Sequence, residues 1–211
     1  MIPEVKALAG GRVIIFEGLD GAGKTTQLEL VQKELEAAGW PVLALRNLGG
    51  TPIGEALREV IKSPLKRPPL TDFYVSLAIQ EPLLDVIDRA RKDGKIILMD
   101  RSPLSLAAYQ IYGSGIDAEL GWRHVRIGME RIKPEAILLY EITPEAALAR
   151  KEEAAKQADY FESQPPEYFS KVAAGYKEAA DRYDAATAVD GTASVAAIHD
   201  RTMDVIAGLL R

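Results

Sequence analysis

The chain has 211 residues, of which 47 % are apolar and 27 % are charged, and its formal net charge is −5. This composition is typical of a globular protein and lacks the basic excess of a nucleic-acid binder. The absence of cysteine excludes disulfides, thiolate metal sites and a cysteine nucleophile. Because no apolar run suits a signal peptide or a membrane span, we expect a cytoplasmic protein with no membrane partner.

Five short runs are predicted to be strands. Most of them are continuously apolar rather than alternating, which is the pattern of strands buried on both faces of a parallel sheet. The runs cover residues 12–17, 41–46, 95–100, 136–142 and 186–190.

Helices are predicted between these strands. Apolar residues at helical spacing follow Lys24 as far as Gly39, Pro52 begins a second helix, and Thr71 is expected to cap a long helix that ends near residue 93. The alternation of strands and helices indicates one α/β domain. The proline-rich residues 64–70 are predicted to form a solvated basic loop. Further helices are expected at 103–112, 117–132, 144–158, 166–184 and 194–210.

The segment GLDGAGKT, from Gly18 to Thr25, matches the phosphate-binding pattern G-x-x-x-x-G-K-[ST]. Its backbone N–H groups and the positive end of the following helix should surround the phosphates of ATP. Lys24 should reach the β- and γ-phosphates, and the Thr25 hydroxyl should bind Mg²⁺. The residues predicted to contact ATP are Gly18, Leu19, Asp20, Gly21, Ala22, Gly23, Lys24, Thr25 and Thr26.

A phosphate-binding loop alone does not define a reaction. A GTPase should carry an Asn-Lys-x-Asp motif, which the chain lacks, and a motor or large ATPase normally needs a longer chain. A small phosphotransferase is therefore favoured. A nucleotide-binding protein with little catalysis remains an alternative.

Two further motifs follow predicted strands, RNLGGT at 46–51 and DRSPLSLAAYQ at 100–110. With the phosphate-binding loop and the Thr-Pro-Glu at 143–145, they make the chain resemble the thymidylate kinase family, which transfers phosphate from ATP to dTMP. The resemblance covers about residues 12–210. It implies a three-layer P-loop NTPase fold whose five-stranded parallel sheet has the order 2-3-1-4-5, with helices on both faces. It also implies a homodimer and a single kinase domain over 1–211, with an N-terminal extension at 1–11 and a lid at about 150–164.

The motif residues have predicted roles in charge neutralisation. Arg46 and Arg101 follow strands and are suited to binding the acceptor phosphate, although each could instead form a surface ion pair. Asp100 should help to hold Mg²⁺, the alternative being a capping carboxylate. By resemblance, Asp20 binds the acceptor sugar or positions the acceptor; it could also bond to its own loop.

Other residues are assigned through the resemblance alone. Ser105, Tyr109 and Gln110 match positions near the acceptor nucleoside, with packing as the alternative. The lid positions 159–162 lack the arginine that related bacterial sequences carry. Arg150 is the candidate replacement for that arginine, although it could instead belong to a solvated helix face. The predicted catalytic residues are Lys24, Asp20, Arg101 and Arg150.

The departures from the family pattern concern the acceptor base. Val75 and Ile79 stand where the family has a stacking phenylalanine and a base-binding arginine, and Ser114 replaces an arginine. Phe73 or Tyr74 could supply the stacking only if this helix aligns with the family pattern in a shifted register. The sequence therefore predicts an ATP- and Mg²⁺-dependent nucleoside monophosphate kinase, with dTMP as the best acceptor. A different monophosphate, such as a modified pyrimidine nucleotide, is the alternative.

Overall fold

A computed structural model describes residues 10–153 and 164–211. Its five parallel strands form one sheet in the order β2-β3-β1-β4-β5, which confirms the predicted topology. The strands are β1 (Arg12–Gly18), β2 (Val42–Arg46), β3 (Ile96–Asp100), β4 (Ala136–Glu141) and β5 (Ala186–Asp190).

Helices cover both faces of the sheet. They are α1 (Lys24–Ala37), α2 (Pro52–Lys62), α3 (Pro69–Lys92), α4 (Pro103–Leu106), α5 (Ala118–Ile132), α6 (Pro144–Glu153), α7 (Pro166–Ala180) and α8 (Val195–Leu209). A π-helical segment, Ala107–Gly113, continues directly from α4. No helix among the described residues is both long enough and apolar enough to cross a membrane.

Alternate residues of β1 pack into two separate cores. Ile14 and Phe16 are fully buried on the face that contacts α1 and α8, whereas Val13 and Ile15 are fully buried on the face that contacts α3 and α5. Side chains alternate between the faces of a strand, so a strand covered on both sides is apolar throughout. This explains the continuous apolar runs in the sequence.

The start of α3 differs from the prediction. Thr71 is not its cap, because the helix begins at Pro69 with Pro68 as the N-cap residue. The fixed backbone angle of proline suits the first turn of a helix, where a missing N–H group costs nothing.

The loop before α3 is not simply a solvated basic segment. Arg67 is largely buried, forms an ion pair with Asp72 and donates to the carbonyls of Ile61, Ser63 and Leu65. These bonds fix the end of α2 to the start of α3, and with them one wall of the cavity described below.

Candidate active site

The phosphate-binding loop joins β1 to α1. Gly23 is the N-cap residue of α1, with a φ of 92° that glycine adopts without strain. A Cβ atom placed on Gly23 would have no neighbour within 4 Å, so the space beside the first turn of α1 is open. That turn carries no acidic side chain, and its N–H groups and positive dipole end therefore favour a phosphate.

Lys24 is folded back into the loop. Its Nζ atom donates to the Leu19 carbonyl at 2.8 Å, and the residue is only 5 % exposed. Burial, with repulsion from Arg101, lowers the pKa of Lys24 from 10.5 to about 8, although nearby carboxylates oppose the shift. A phosphate oxygen could replace the carbonyl as the partner of this ammonium group.

Thr25 and Asp100 meet at the carboxyl ends of β1 and β3. The Thr25 hydroxyl donates to Asp100 Oδ2 at 2.9 Å, while Asp100 Oδ1 is buried without a hydrogen-bond partner among the described residues. Mg²⁺ takes oxygen ligands, usually one or two from protein side chains and the rest from water and phosphate. These oxygens fit that ion, and the described residues contain no cluster of three or more His, Cys, Asp or Glu for a protein-only metal site.

Arg101 and Asp20 come from different motifs and form a partly buried ion pair. Arg101 has a φ of 71°, which is uncommon for a non-glycine residue, and its Nη2 atom donates to Asp20 Oδ1 at 2.6 Å. The guanidinium lies 5.2 Å from the centre of the Tyr109 ring and donates to the hydroxyls of Ser105 and Tyr176. Burial alone would lower the pKa of Arg101, but the charge of Asp20 raises it well above its ordinary value, so the guanidinium stays charged.

Glu17 is a site residue that the sequence analysis missed. Its carboxylate is 1 % exposed and accepts from Ser102 N at 2.6 Å, Ser102 Oγ at 2.7 Å and Ser105 Oγ at 2.8 Å. Burial raises its pKa, and Arg101 and these hydrogen bonds oppose the shift. Glu17 therefore fixes the turn that carries Arg101. A charged residue inside the apolar run before the phosphate-binding loop was the available signal.

Arg46 lies next to this group, as predicted from the two strand ends. It is paired in register with Asp100, because β2 and β3 are neighbours. Its Nη2 atom also donates to Glu55 at 2.9 Å, and Glu55 in turn accepts from Gly50 N at 2.8 Å. Both side chains of this ion pair are about half exposed, at 49 % and 47 %, so the pair is weak and open to exchange.

A cavity of about 440 Å³ opens beside the loop, and all six predicted substrate-binding residues line it. Five cationic side chains and two carboxylates line it, which gives its wall a positive excess. The cationic residues are Lys24, Arg46, Arg58, Lys62 and Arg101, and the carboxylates are Asp20 and Asp100. Arg58 and Lys62, one turn apart on α2, were not predicted as site residues; their helical spacing after the RNLGGT motif was the available signal.

The residues at the expected base-binding positions do not line the cavity. Val75 is half-buried and Ile79 is fully buried. Phe73 is fully buried against the edge of His124, and Tyr74 is 53 % exposed. None of the four is among the described residues around the cavity, so stacking by Phe73 or Tyr74 is not confirmed.

The same wall of α3 instead presents polar side chains. Ser76 and Gln80, one turn apart, line the cavity together with the predicted residues Ser105, Tyr109 and Gln110. The π-helical segment positions Tyr109 and Gln110. Ser114, at the end of this segment, donates to the Tyr109 carbonyl at 3.0 Å and is not among the described residues that line the cavity.

Arg150 lies on α6 outside this cavity. Its Nη1 atom donates to the Gly191 carbonyl at 2.7 Å and to the Gly21 carbonyl at 3.4 Å, and so joins the loop after β5 to the phosphate-binding loop. Residues 154–163, which contain most of the predicted lid, lie outside the described residues. The catalytic role of Arg150 stays a prediction.

The sheet order, the loop after the central strand and the cationic cavity define a P-loop kinase. The thymidylate kinase family model matches residues 16–202, and the chain belongs to that family.

Curated relatives align over 82–95 % of the chain. A thymidylate kinase of Pelotomaculum thermopropionicum is 35 % identical over 82 % of this chain and 81 % of its own length. A thymidylate kinase of Paraburkholderia xenovorans is 34 % identical over 95 % of this chain and 99 % of its own length. A thymidylate kinase of Caldanaerobacter subterraneus subsp. tengcongensis is 31 % identical over 95 % of this chain and 97 % of its own length.

Proposed function

We propose that this protein transfers the γ-phosphoryl group of ATP to dTMP, giving dTDP and ADP. Family membership and the names of the relatives support this acceptor. The single observation that carries the proposal is the set of five cationic side chains that line a cavity next to the phosphate-binding loop. A second phosphate brought close to ATP needs such a positive wall, because the two anions repel each other.

Each cation has a distinct position in the proposed reaction. Lys24 leaves the Leu19 carbonyl and binds the phosphate that is transferred, while Arg101 and Arg46 bind the acceptor phosphate. An oxygen of that phosphate forms a bond to the γ-phosphorus as the bond to the bridging oxygen of ADP breaks. Arg58 and Lys62 add positive charge at the α2 side of the cavity.

Thr25 and Asp100 are the residues proposed to hold Mg²⁺. The ion, when bound with ATP, neutralises charge on the phosphates. The buried, unpartnered Asp100 Oδ1 supports this assignment, because a bound cation would satisfy it directly or through water.

Asp20 is proposed to position both Arg101 and the acceptor sugar. In the free protein it accepts from Arg101 and from the Tyr109 hydroxyl, at 2.6 and 3.3 Å. When the acceptor phosphate binds Arg101, an Asp20 oxygen becomes available to a sugar hydroxyl. Arg150 is proposed to act near the nucleotide, since it joins two loops beside the phosphates.

The family resemblance also supports a homodimer in the cytoplasm and a single kinase domain over residues 1–211. Sedimentation equilibrium checks the oligomeric state: a mass near twice 23.0 kDa is expected, and the mass of a single chain would contradict it.

The activity is tested by Mg-ATP turnover against dTMP, dUMP, UMP, dCMP, CMP, dGMP and AMP. Preferred turnover of dTMP supports the proposal. Preference for another monophosphate favours the alternative acceptor. ATP binding without turnover of any acceptor would contradict kinase function.

A further inference from the structure

The two terminal nitrogens of the Arg101 guanidinium have different kinds of partner. Nη2 donates at 2.6 Å to Asp20, a charged group that lines the cavity. Nη1 donates to uncharged groups, which are the Gly18 carbonyl at 3.3 Å and the hydroxyls of Ser105 and Tyr176. When Asp20 gives up Nη2 to the acceptor phosphate, the bonds of Nη1 are the ones left to hold the guanidinium in place.

Tyr176 contacts Arg101 from outside the cavity. The residue lies on α7, is 2 % exposed and is not among the described residues that line the cavity. Burial raises the pKa of Tyr176 well above its ordinary value, so the side chain stays a neutral hydroxyl. Any effect of this hydroxyl on the acceptor must therefore pass through a neighbouring side chain.

The hydrogen bonds between Arg101 and Glu17 have a defined direction. The Ser105 hydroxyl donates its one hydrogen to Glu17 Oε2 at 2.8 Å. It must then accept from the Tyr176 hydroxyl, which lies 2.8 Å away. The Tyr176 oxygen in turn accepts from Arg101 Nη1. A chain of hydrogen bonds therefore leads from the guanidinium through two hydroxyls to a buried carboxylate, and the members of such a chain strengthen one another.

Close packing of α7 on the π-helical segment sets the position of this hydroxyl. A Cβ atom placed on Gly175 would lie 2.7 Å from Tyr112 Cγ, at the base of that ring, so glycine at position 175 allows the two elements to approach. The Tyr176 ring lies edge-on to the Tyr109 ring, with their centroids 6.0 Å apart and an angle of 87° between their planes. The ring is thus held on both elements, independently of its hydroxyl.

We infer that Tyr176 is a positioning residue, whose hydroxyl holds Nη1 of Arg101 so that Nη2 stays in place for the acceptor phosphate after Asp20 has exchanged. This inference rests on the proposed function, in which Arg101 binds that phosphate. Tyr176 acts through Arg101 and not on the acceptor directly. Because every monophosphate carries the phosphate, the effect does not depend on the base.

Tyr176→Phe tests the inference, because it removes the hydroxyl and keeps the packed ring. We expect kcat/KM for dTMP to fall about tenfold, mainly through a higher KM, since Arg101 loses a hydrogen bond of the charge-assisted kind. The KM for ATP should stay within about twofold. A purely structural role would lower stability without separating the two substrates in this way.

Tyr140→Phe is the matched control. Tyr140 is 1 % exposed, and its hydroxyl forms a hydrogen bond with Thr202 at 2.9 Å, away from the residues that line the cavity. Both variants lose one buried hydroxyl, so both should lower the thermal midpoint. The KM for dTMP should rise in Tyr176→Phe alone. An unchanged KM in Tyr176→Phe, or an equal rise in Tyr140→Phe, would overturn the inference.

A second background shows whether the hydroxyl acts through Arg101. In Arg101→Ala, adding Tyr176→Phe should change kcat/KM for dTMP by less than about twofold, because the group that the hydroxyl positions is already absent. A further tenfold loss would mean that Tyr176 reaches the acceptor by another route, and the inference would be wrong.

Calorimetric binding of dTMP without ATP separates this inference from the proposed function. The Kd of Tyr176→Phe should be about tenfold higher than that of the wild type and of Tyr140→Phe. If the wild type binds dTMP but does not phosphorylate it, the proposed function fails, and the tenfold difference in Kd still supports the inference. If Tyr176→Phe binds dTMP as tightly as the wild type, the inference fails whether or not turnover occurs.

Discussion

At the phosphate end of the cavity Lys24, Thr25 and Arg101 each have a hydrogen-bonding partner within the protein. At the other end, where Gln110 is predicted to lie near the acceptor nucleoside and which we call the base end, the buried Oε1 atom of Gln110 has none among the described residues. The difference follows from charge. A buried unpaired ion costs several kcal/mol, so the cations must be paired before ligand arrives. A buried neutral group left unsatisfied costs about 1–3 kcal/mol, which a folded protein tolerates at a few positions.

The two ends therefore contribute differently to function. Under the proposed function, the phosphate end is expected to exchange internal partners for ligand oxygens, with its geometry set before binding. The base end is expected to gain hydrogen bonds that it lacks in the free protein, so the identity of the base should matter most there. Variants at the phosphate end should lower turnover of every acceptor, and variants at the base end should change the preference among acceptors.

Lys24→Ala should have the largest effect. Removing the ammonium group from the transferred phosphate is expected to lower kcat about 10³-fold for every monophosphate. Lys33→Ala, an exposed lysine of the same helix, is the matched control and should retain activity. Steady-state rates of ADP formation provide the comparison. Unchanged turnover in Lys24→Ala would show that the loop does not act in catalysis.

The pH dependence of kcat/KM for ATP tests the charge state of Lys24 at the phosphate end. Because the pKa of Lys24 is lowered to about 8, the free protein loses this positive charge as the pH rises above 8. We expect kcat/KM for ATP to be constant well below pH 8 and to fall toward tenfold per pH unit well above it, because this ratio reports the free enzyme. Bound phosphate stabilises the charged form, so kcat should fall only at higher pH. A kcat/KM that is constant to pH 10 would contradict this account.

Glu17→Gln tests the support beneath Arg101. The variant keeps the shape of the side chain, but it removes the negative charge and turns one acceptor of the Ser102 and Ser105 hydrogen bonds into a donor. We expect kcat to fall about tenfold for all acceptors, with no change in acceptor preference. Glu29→Gln, on the exposed face of α1, is the control. A change in preference instead of rate would mean that the two ends are not separate.

Glu55→Gln should have the smallest effect. The Arg46–Glu55 pair is half exposed, and such pairs contribute about 0–1 kcal/mol. Weakening it leaves Arg46 in place for the acceptor phosphate, so the KM for dTMP should change less than about threefold in steady-state assays. A larger increase would mean that Glu55, and not the end of β2, holds Arg46 in position.

The sequence predicted the sheet and the phosphate end because both depend on local patterns. Short runs, most of them continuously apolar, identified all five strands, and the phosphate-binding loop was recognised by the fixed spacing of its residues. The contact between Asp20 and Arg101 was not predicted, and it arises because the parallel pairing of β1 with β3 brings the two motifs together.

The base end depends on geometry that no local pattern encodes. The extra residue per turn in the π-helical segment sets where Gln110 points, and periodicity at 3.6 residues does not anticipate it. Ser76 and Gln80, rather than the expected Val75 and Ile79, line the cavity on α3. Gly128 makes room for the Gln80 amide from a distant part of the chain.

The most direct test of the account is the product formed from Mg-ATP and dTMP by the intact protein. Equal amounts of ADP and dTDP, with turnover of dTMP higher than that of any purine monophosphate, are the expected result. No dTDP, and no acceptor-dependent ADP from any monophosphate while ATP still binds, would contradict the assignment of this cavity to phosphoryl transfer.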